Sequence, residues 1–591
     1  MMLHPVLLPK RPARWDFADL PRLWLAALLA ALLTGCASLP ANVQRPVSTA
    51  LSAPDGTALG RLVEARRGES RARSDSAFRL LENVEQAFAA RLALIDGAER
   101  TLDLQYYAIH ADASTEQLLQ RLRDAAARGV RVRLLLDDLN TVGRDAQVLR
   151  LAFEPNIEVR LFNPLAGARG SLIGRLLGSL HDINRLQKRM HNKLFIADNT
   201  LGITGGRNLG DAYFGQDTTS NFVDLDVLAG GRIVRDMSAS FDRYWNNELA
   251  YPVSAILSPD DLDALRQPPA GAAGAPGSLD VANAPSAAAP TPTRAPLSLG
   301  TGGTAVLPDI TSTAAVSAVM DLKRVSLTWA PSSLLVDKPG KVGPDDDEVD
   351  AGDTLIDGLL GLMAQAQRDM LIVSPYFVPG KPMMARFAEL RARGVRIRVL
   401  TNSLASNDAP AAHAGYARYR RALLQMGVEL HEMRSDQEGS VRGLGSTGFS
   451  GSRSGGGVGS GASGTSGGGS GATGGGSGVG SSVRASLHSK AVLLDNRLAV
   501  IGSMNLDLRS QLQNSEVALV IRSAALTREA ARLIEGTLAT GAYRVELVDG
   551  QLVWRAPPGA TFADATSEPD ASTKLKLLVN LIGPFAPDEM L

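Results

Sequence analysis

The chain has 591 residues, 45% of them hydrophobic, and its 61 basic side chains balance 61 acidic ones to a formal net charge of zero. This length can hold more than one domain-sized core, and the balanced charge argues against a general nucleic-acid binder, which is usually basic. Because Cys36 is the single cysteine, an intrachain disulfide and a cysteine-based metal cluster are both excluded.

A basic leader and an apolar run open the chain. The apolar run, residues 23–33, is too short to span a bilayer comfortably, and residues 33–36 (Leu-Thr-Gly-Cys) match a bacterial lipobox. We therefore predict that residues 1–36 are a lipoprotein signal peptide and that Cys36 is acylated; a plain signal peptide and a buried N-terminal helix are the alternatives. Since Ala37 is not aspartate, the sorting rule of such lipoproteins favours the outer membrane in a Gram-negative cell. The predicted location is the periplasmic side of a membrane, held there by the N-terminal lipid.

The first of two similar repeats is predicted over residues 76–266, after a tether of residues 37–75 that contains Pro, Ala and Arg. Apolar side chains at helical spacing from Phe78 to Leu92 predict its opening helix. A strand, a helix and a second strand are then predicted over Thr101–Tyr107, Thr115–Arg128 and Val130–Leu136.

An H-x-K-x4-D string follows in this repeat, from His191 through Lys193 to Asp198. The apolar residues inside it predict a buried strand, and residues 201–204 predict a second one. Because residues i and i+2 of a strand point to the same face, the histidine and the lysine are expected on one side. A Gly-Gly turn leads to Asn208, where a helix is expected to begin, and such a position favours anions.

Two low-complexity insertions separate and interrupt the repeats. Residues 267–305, rich in Pro, Ala, Gly, Ser and Thr, are predicted to be disordered. The second repeat is predicted over residues 306–560, and residues 438–482 within it form a Gly/Ser tract that is also predicted to be disordered. This tract is either a mobile flap over the site or, as we favour, a tolerated loop expansion. In the C-terminal tail, residues 561–591, the segment Lys574–Ile582 either dips into a membrane interface or packs on the domain.

The second repeat copies the first. Residues 392–398 (ARGVRIR) nearly repeat residues 127–133 (ARGVRVR). A helix, a strand, a helix and a strand are predicted over Thr354–Gln367, Met370–Pro375, Lys381–Arg393 and Val395–Leu400. Alternating strands and helices predict an α/β fold, and the duplication predicts two fused α/β/α repeats about a pseudo-twofold axis with the active site on that axis.

The H-x-K-x4-D string recurs in the second repeat as His488, Lys490 and Asp495, and a Gly-Ser turn and Asn505 follow. The doubling indicates one active site built from two halves, which suits a phosphate ester handled without a metal or another cofactor. One neutral imidazole can attack phosphorus and form a covalent phosphohistidine. The other can protonate the leaving alcohol and deprotonate the incoming one, while the two lysines and two asparagines hold the phosphate oxygens.

Each histidine needs a carboxylate to fix its tautomer. Candidates lie one strand further along each repeat, at Asp224 and Glu516; solvated carboxylates at strand ends are the alternative interpretation. Asp198 and Asp495 close the two catalytic motifs, and we interpret them as supports of the strand pair rather than as reacting acids.

The doubled motif resembles that of the phospholipase D superfamily. A narrower similarity, to the bacterial cardiolipin synthase C group, covers roughly residues 75–265 and 325–555. The segments that carry it are residues 102–107, 189–193, 205–214, 224–227, 400–405, 413–418 and 485–488.

The resemblance implies a metal-independent phosphatidyltransferase that makes cardiolipin from two membrane phospholipids, with phosphatidylglycerol as one of them. Because the first motif usually supplies the nucleophile in this superfamily, it implies His191 as nucleophile and His488 as general acid and base, an order that symmetry could reverse. A phospholipase D that transfers to water, a phosphodiesterase acting on DNA and a catalytically dead binding module are the alternatives. Nucleic acid is not an expected partner, whereas the second phospholipid, an accessory protein and the oligomeric state stay open.

Overall fold

The computed structural model describes residues 39–40, 42–141, 143–165, 183–257, 259–266, 313–343, 354–436, 444 and 483–583. The predicted signal peptide with Cys36 and the insertion of residues 267–305 lie outside the described residues. The Gly/Ser tract of residues 438–482 also lies outside them, apart from Leu444.

Strands and helices alternate along most of the described chain. The strands are β1 Ser76–Leu81, β2 Thr101–Tyr106, β3 Arg131–Asp137, β4 Ile157–Phe162, β5 Leu194–Ala197, β6 Leu201–Gly205, β7 Ser220–Val223, β8 Asp226–Gly231, β9 Ala250–Pro252, β10 Thr328–Trp329, β11 Ser332–Val336, β12 Asp369–Val373, β13 Arg396–Asn402, β14 Glu429–Met433, β15 Arg484–Leu487, β16 Ala491–Leu494, β17 Leu498–Gly502, β18 Val517–Ile521, β19 Ala542–Val548 and β20 Gln551–Arg555. The α-helices are α1 Ala58–Ser70, α2 Val84–Gly97, α3 Ala113–Ala127, α4 Ile183–Gln187, α5 Arg232–Trp245, α6 Val253–Ile256, α7 Pro259–Arg266, α8 Thr313–Val319, α9 Leu355–Met363, α10 Gly380–Ala392, α11 Pro410–Gln425, α12 Leu508–Leu512, α13 Ala524–Thr540 and α14 Thr573–Ile582. Short 3₁₀ helices cover Pro54–Gly56, Gly143–Phe153, Asp211–Tyr213 and Pro339–Val342.

Two nine-stranded sheets form the centre of the fold. The first has the order β10-β1-β8-β6-β5-β2-β3-β4-β9, and the second has the order β11-β18-β17-β16-β12-β13-β14-β19-β20. The two orders match strand by strand when β1 is aligned with β11. In each sheet three parallel strands, β2 to β4 or β12 to β14, lie beside antiparallel strands that follow the catalytic motif. The predicted α/β fold with two fused, similar repeats is therefore confirmed.

Three large buried clusters fill the layers of the described chain, and the middle one belongs to both repeats. The first packs α2 and α3 on one sheet, and the third packs α9, α10 and α11 on the other. The middle cluster contains α5 and α13, with Trp245 and Ile534 both fully buried. Since α5 contacts β11 and α13 contacts β1, each central helix touches the sheet of the other repeat. This shared core fixes the two halves against each other.

A small sheet also joins the repeats. Strand β7 of the first repeat pairs in parallel with β15 of the second, and Val223 faces Leu487 in this register. These two residues directly precede a candidate carboxylate and a candidate catalytic histidine, so the pairing sets the position of both.

The predicted opening helix is wrong over residues 78–82. Phe78 and Leu81 lie in strand β1, and the helix α2 begins only at Val84, capped by the Asn83 side chain, which accepts a hydrogen bond from the N–H of Gln86. Both faces of β1 are covered, so its apolar residues do not alternate as in a half-exposed strand, and their spacing resembles that of a helix.

The structure places the boundary between the repeats further along the chain than residue 306. Helix α8 contacts α2 of the first repeat, and β10 pairs with β1. The second sheet begins with β11, at Ser332.

The described part of residues 37–75 is folded onto the first repeat rather than free as a tether. It includes helix α1, whose cap is the Thr57 side chain. Its extended portion has no periodic sequence pattern. It is ordered because side chains from distant strands donate hydrogen bonds to its carbonyl groups. The donors are arginines of β3 and β4: Arg160 to Pro46 at 2.6 Å, Arg133 to Ser48 at 2.8 Å and Arg131 to Thr49 at 2.6 Å.

Candidate active site

The two H-x-K segments lie directly before β5 and β16, and each is hydrogen-bonded to the other repeat. The N–H of His191 donates to the carbonyl of Ser515 at 2.9 Å, and the N–H of His488 donates to the carbonyl of Val223 at 2.9 Å. The sequence predicts these histidines inside strands. The structure places them in the extended segments just before the strands, because their N–H groups pair across the repeat interface.

Each histidine is bound by a carboxylate of the opposite repeat. His191 Nδ1 lies 2.9 Å and 3.0 Å from the two oxygens of Glu516, and His488 Nδ1 lies 2.7 Å from Asp224 Oδ2. The carboxylates are fully buried, whereas the imidazoles keep 10% and 6% exposure. Since the carboxylate takes Nδ1, Nε2 is the nitrogen of each ring that can act on a substrate.

The two imidazoles share one electrostatic environment. Burial, followed by the charges of Lys193, Lys490 and His488, lowers the pKa of His191 well below its usual value. Burial and then Lys490 lower the pKa of His488, although Asp224 opposes them. Charges from both repeats therefore act on each ring, as expected for one composite site.

The two carboxylates differ in their other partners. Glu516 also accepts hydrogen bonds from the hydroxyls of Ser503 and Ser510, the latter at 2.8 Å. Burial raises the pKa of Glu516 against the opposing effect of Lys193. Asp224 has a backbone donor, the N–H of Leu225 at 3.1 Å. Burial alone would raise the pKa of Asp224, but the charges of His488 and Lys490 hold this pKa below its usual value.

The two lysines occupy equivalent places. Lys193 Nζ donates to the carbonyl of His191 at 2.8 Å, and Lys490 Nζ donates to the carbonyl of His488 at 2.6 Å. Both side chains are buried. Burial lowers the pKa of Lys193 to about 7, and it also lowers the pKa of Lys490.

The two asparagines are buried beside the motifs but do not cap helices. Asn208 Nδ2 donates to the Tyr213 hydroxyl at 2.8 Å, and within the described residues Asn505 Oδ1 has no hydrogen-bond partner. The expected helix starts lie further on: a 3₁₀ turn begins at Asp211, and α12 begins at Leu508 with its own aspartate cap.

Asp198 and Asp495 bind backbone groups and lie away from the imidazoles. Asp198 accepts hydrogen bonds from the N–H groups of residues 99–101, and Asp495 accepts them from those of residues 367–369. Both residues have left-handed backbones, with φ of 50° and 53°. They hold the start of β2 and of β12 against the β5–β6 and β16–β17 turns.

Asp198→Ala is expected to lower the free energy of unfolding by about 3 kcal/mol, because three backbone donors lose their acceptor in a fully buried place. Asp495→Ala removes the equivalent bonds of the second repeat in a half-buried place and is expected to cost about half as much. Denaturant unfolding of both variants measures this difference. Asp198→Asn, which tolerates the left-handed backbone, serves as the control with a smaller loss; equal losses in both alanine variants would contradict the burial argument.

Further residues of the site lie outside the two motifs. The rings of Tyr107 and His191 meet edge to face at 5.1 Å, and those of Tyr213 and His488 do so at 5.5 Å. The Asp337 carboxylate accepts from the N–H of Glu516 at 2.9 Å and is itself paired with a buried lysine. Both tyrosines belong to segments that carry the family resemblance, whereas Asp337 belongs to none of them and follows from the fold alone.

Within the described residues, no group of three or more His, Cys, Asp or Glu side chains is arranged to hold a metal ion. Nor does any helix in that part of the chain combine the length and apolar character required for a membrane crossing.

The chain is similar to a known domain family and to proteins of other bacteria. The domain family described as "Cardiolipin synthase, PLD-like domain" matches residues 92–245, 359–442 and 476–537. Cardiolipin synthase C of Escherichia coli (strain K12) is 35% identical over 454 residues, which cover 76% of this chain and 82% of that protein. An uncharacterized protein of Helicobacter pylori (strain 26695) is 28% identical over 94% of this chain and 97% of its own length.

Among solved structures, the phosphatidylserine synthase of Haemophilus influenzae Rd KW20 has a similar fold. The TM-score is 0.51, and the match covers 89% of this chain and 100% of the synthase. Since only 12% of the aligned residues are identical, this likeness concerns the fold alone.

Proposed function

The chain belongs to the cardiolipin synthase family of phospholipase D-like proteins, and from this premise we propose that it moves a phosphatidyl group between two phospholipids through a phosphohistidine. Phosphatidylglycerol, whose headgroup carries free hydroxyls, is the proposed substrate on one side of the reaction. One observation carries the proposal: each imidazole has its Nδ1 on a buried carboxylate of the other repeat, at 2.7–3.0 Å, with a buried lysine beside it.

The proposed reaction has two balanced steps. In the first, His191 Nε2 attacks phosphorus, the bond to the headgroup oxygen breaks, and His488 donates a proton to that oxygen. In the second, the hydroxyl of the other phospholipid loses its proton to His488 and attacks phosphorus, and the phosphorus–nitrogen bond breaks. The two lysines and the two asparagines bind the non-bridging oxygens as charge develops on them.

The difference between the two carboxylates supports His191 as nucleophile. The negative charge of Glu516 is shared with two serine hydroxyls, so it stabilises an imidazolium less. Burial and the nearby positive charges lower the pKa of His191 well below its usual value. A neutral ring is the form that attacks phosphorus. Asp224, whose pKa is low because of His488 and Lys490 despite its burial, is suited to stabilise the imidazolium that His488 forms during proton transfer.

The proposed mechanism needs no metal, because two ammonium groups supply positive charge next to both imidazoles. A divalent cation would have to share this space with Lys193 and Lys490, and both carboxylates already bind histidine nitrogens. Chelators are therefore expected to leave turnover unchanged.

Labelled phosphatidylglycerol in vesicles, with and without phosphatidylethanolamine, tests the proposed function. Labelled cardiolipin supports it. Phosphatidic acid as the only product would assign hydrolysis instead, because water then takes the place of the second phospholipid. Cleavage of DNA without any lipid product would assign a phosphodiesterase. A chain with His191→Ala and His488→Ala together is the matched control for contaminating activity.

We expect kcat/KM to fall as pH rises through about 7. The pKa of Lys193 lies at about 7 because of its burial, and only the protonated form attracts the phosphate, so activity is present below this pH and is lost above it. A pH profile of kcat/KM measures the alkaline limb. Lys193→Arg keeps its charge at all these pH values and is expected to make the fall above about pH 7 less steep, because only the loss of the His488 proton then remains. An unchanged steepness in this variant, or a rate that stays constant up to about pH 9 in the unmodified chain, would contradict the assignment.

We further propose that Cys36 is acylated and anchors the chain to a membrane. Chain geometry supports a close attachment: Arg45 donates to the carbonyl of Ala250 on the first repeat at 3.2 Å, and it lies nine positions after Cys36. An extended chain of this length reaches about 30 Å, so the folded part would stay near the bilayer surface.

Cys36→Ser is expected to shift the chain from the membrane fraction toward the soluble fraction, since each buried CH₂ of an acyl chain contributes about 0.8 kcal/mol. Cell fractionation measures this shift, and metabolic labelling with a fatty acid measures acylation of the chain. Labelling that persists in the variant would contradict acylation at this residue, and Ser38→Ala is the control for a neutral change in the same segment.

A further inference from the structure

The C-terminal helix α14 carries a row of exposed leucines. Leu577, Leu578 and Leu581 are 70%, 42% and 65% exposed, and their spacing of one and three residues puts them on one side of the helix. On the opposite side, Val579 packs against Leu404 and belongs to a small buried cluster. The helix is thus attached to the second repeat by one face and presents an apolar face outward.

Cationic side chains lie near this apolar face. Lys574 and Lys576 lie in the first turn of α14, and the adjoining helix α11 presents Arg421 at its surface. Arg418 Nη1 reaches the carbonyl of Gly583 at the end of α14 at 3.4 Å, which holds the two helices together. The surface therefore combines leucines with positive charge.

Two acidic side chains of the described segment that leads into α14 are paired with cations. Glu568 lies 2.8 Å from Arg420 Nη1 and 3.4 Å from His413 Nε2. Asp570 lies 3.2 Å from Arg434 Nε. Among the described residues around α14, the charge is therefore mainly positive, which is complementary to an anionic surface.

We propose that α14 docks on a phospholipid bilayer that contains anionic lipids, with its three leucines at the boundary of headgroups and acyl chains. This rests on the proposed function in one respect, namely that the bilayer is also the source of the substrates. A second copy of the chain is the less suitable occupant, because three leucine side chains offer far less than the ~800 Å² per partner that a stable dimer buries. A short basic amphipathic helix instead matches the pattern of interfacial membrane contacts.

The single cysteine permits a direct test. In a Cys36→Ser background, Leu578→Cys carries the only thiol, to which an environment-sensitive nitrobenzoxadiazole label is attached. Vesicles of phosphatidylglycerol and phosphatidylcholine are expected to shift its emission to the blue and to raise it several-fold. Val548→Cys in the same background is the matched control, because Val548 is an exposed apolar residue of the β19–β20 hairpin, at 37% exposure, and its label is expected to stay in water.

The lysines are tested with the same label. Lys574→Gln and Lys576→Gln are each expected to weaken vesicle binding by about fivefold when phosphatidylglycerol is present, and to have little effect with phosphatidylcholine alone. An unchanged label at residue 578 on vesicles that sediment with the protein would overturn the proposal. So would a response that rises with protein concentration in the absence of vesicles, since that would assign self-association.

Activity separates this proposal from the proposed function. Leu577→Gln together with Leu581→Gln is expected to reduce turnover of vesicle-bound phosphatidylglycerol roughly fivefold or more, as the loss of two buried leucines from an interfacial contact implies, and to leave turnover of a short-chain, monomeric phosphatidylglycerol unchanged. Equal turnover of both substrates relative to the unmodified chain would overturn the docking proposal. If the unmodified chain turned over neither lipid, the proposed function would fail while the label at residue 578 still reported on docking.

Discussion

Replacing His191 with alanine is expected to abolish turnover, and replacing His488 with alanine is expected to reduce it by about 10²- to 10⁴-fold. His191→Ala removes the atom that bonds to phosphorus, so no covalent intermediate can form. His488→Ala removes the proton donor and acceptor, which contributes about 10²–10⁴-fold by itself, and it leaves Asp224 buried without its partner. Rates with labelled phosphatidylglycerol measure both losses.

The two variants differ in what they accumulate. A labelled phosphatidyl-enzyme, isolated after acid-free denaturation, is expected in His488→Ala and not in His191→Ala, because only the His488→Ala chain retains the nucleophile. Trapping in His191→Ala alone would reverse the roles. Full activity in both would exclude a phosphohistidine mechanism. His431→Ala is the control for the loss of an imidazole, since this residue lies on β14 outside the site.

The parts of the site that the sequence predicts are those fixed by local geometry. The apolar runs after His191 and His488 predict β5 and β16. The repeated spacing indicates equivalent strands, and both strands are buried along their whole length. Asp224 and Glu516 are also found from the sequence, because equivalent strands follow each motif at a similar distance.

Which carboxylate binds which histidine depends on long-range packing and is not encoded in the spacing. The crossed arrangement follows from two contacts between the repeats, the His191–Ser515 and His488–Val223 backbone hydrogen bonds. These form because α5 and α13 share a core, which no local pattern specifies. The sequence also does not predict the serine hydroxyls that bind Glu516. Ser510 lies in the short helix α12, and the fold brings this helix to the carboxylate.

The folding of residues 42–75 onto the first repeat shows a second limit of sequence patterns. A segment without apolar periodicity can still be ordered when buried arginines bind its carbonyl groups. Arg133 is fully buried and links Asp103 of the sheet, at 2.7 Å, to the carbonyl of Ser48, at 2.8 Å. These hydrogen bonds join side chains to backbone groups that are far apart in the sequence. The accepting segment therefore has no sequence pattern that predicts them.

The other large loss of turnover is expected when the carboxylates are replaced, and it should be larger for Asp224 than for Glu516. Asp224→Asn keeps an acceptor for His488 Nδ1 but removes the charge that stabilises the imidazolium, so turnover is expected to fall by about 10³-fold. The turnover of Glu516→Gln is expected to fall by only about 10- to 100-fold, because His191 reacts as a neutral ring and two serine hydroxyls can reorient toward the amide. Steady-state kcat/KM for the two variants measures the difference.

A change of leaving group distinguishes a catalytic cause from a structural one. A phosphodiester with a p-nitrophenyl leaving group needs little help from a general acid. With this substrate, the defect of Asp224→Asn in formation of the phosphatidyl-enzyme is expected to shrink to about tenfold, whereas the defect of Glu516→Gln is expected to persist, since His191 attacks phosphorus with either substrate. Equal defects in both variants, or a rescue of Glu516→Gln alone, would contradict the assignment. The inequality follows from the partners of the two carboxylates: Asp224 has one imidazole and one backbone donor, whereas Glu516 divides its charge among an imidazole and two hydroxyls.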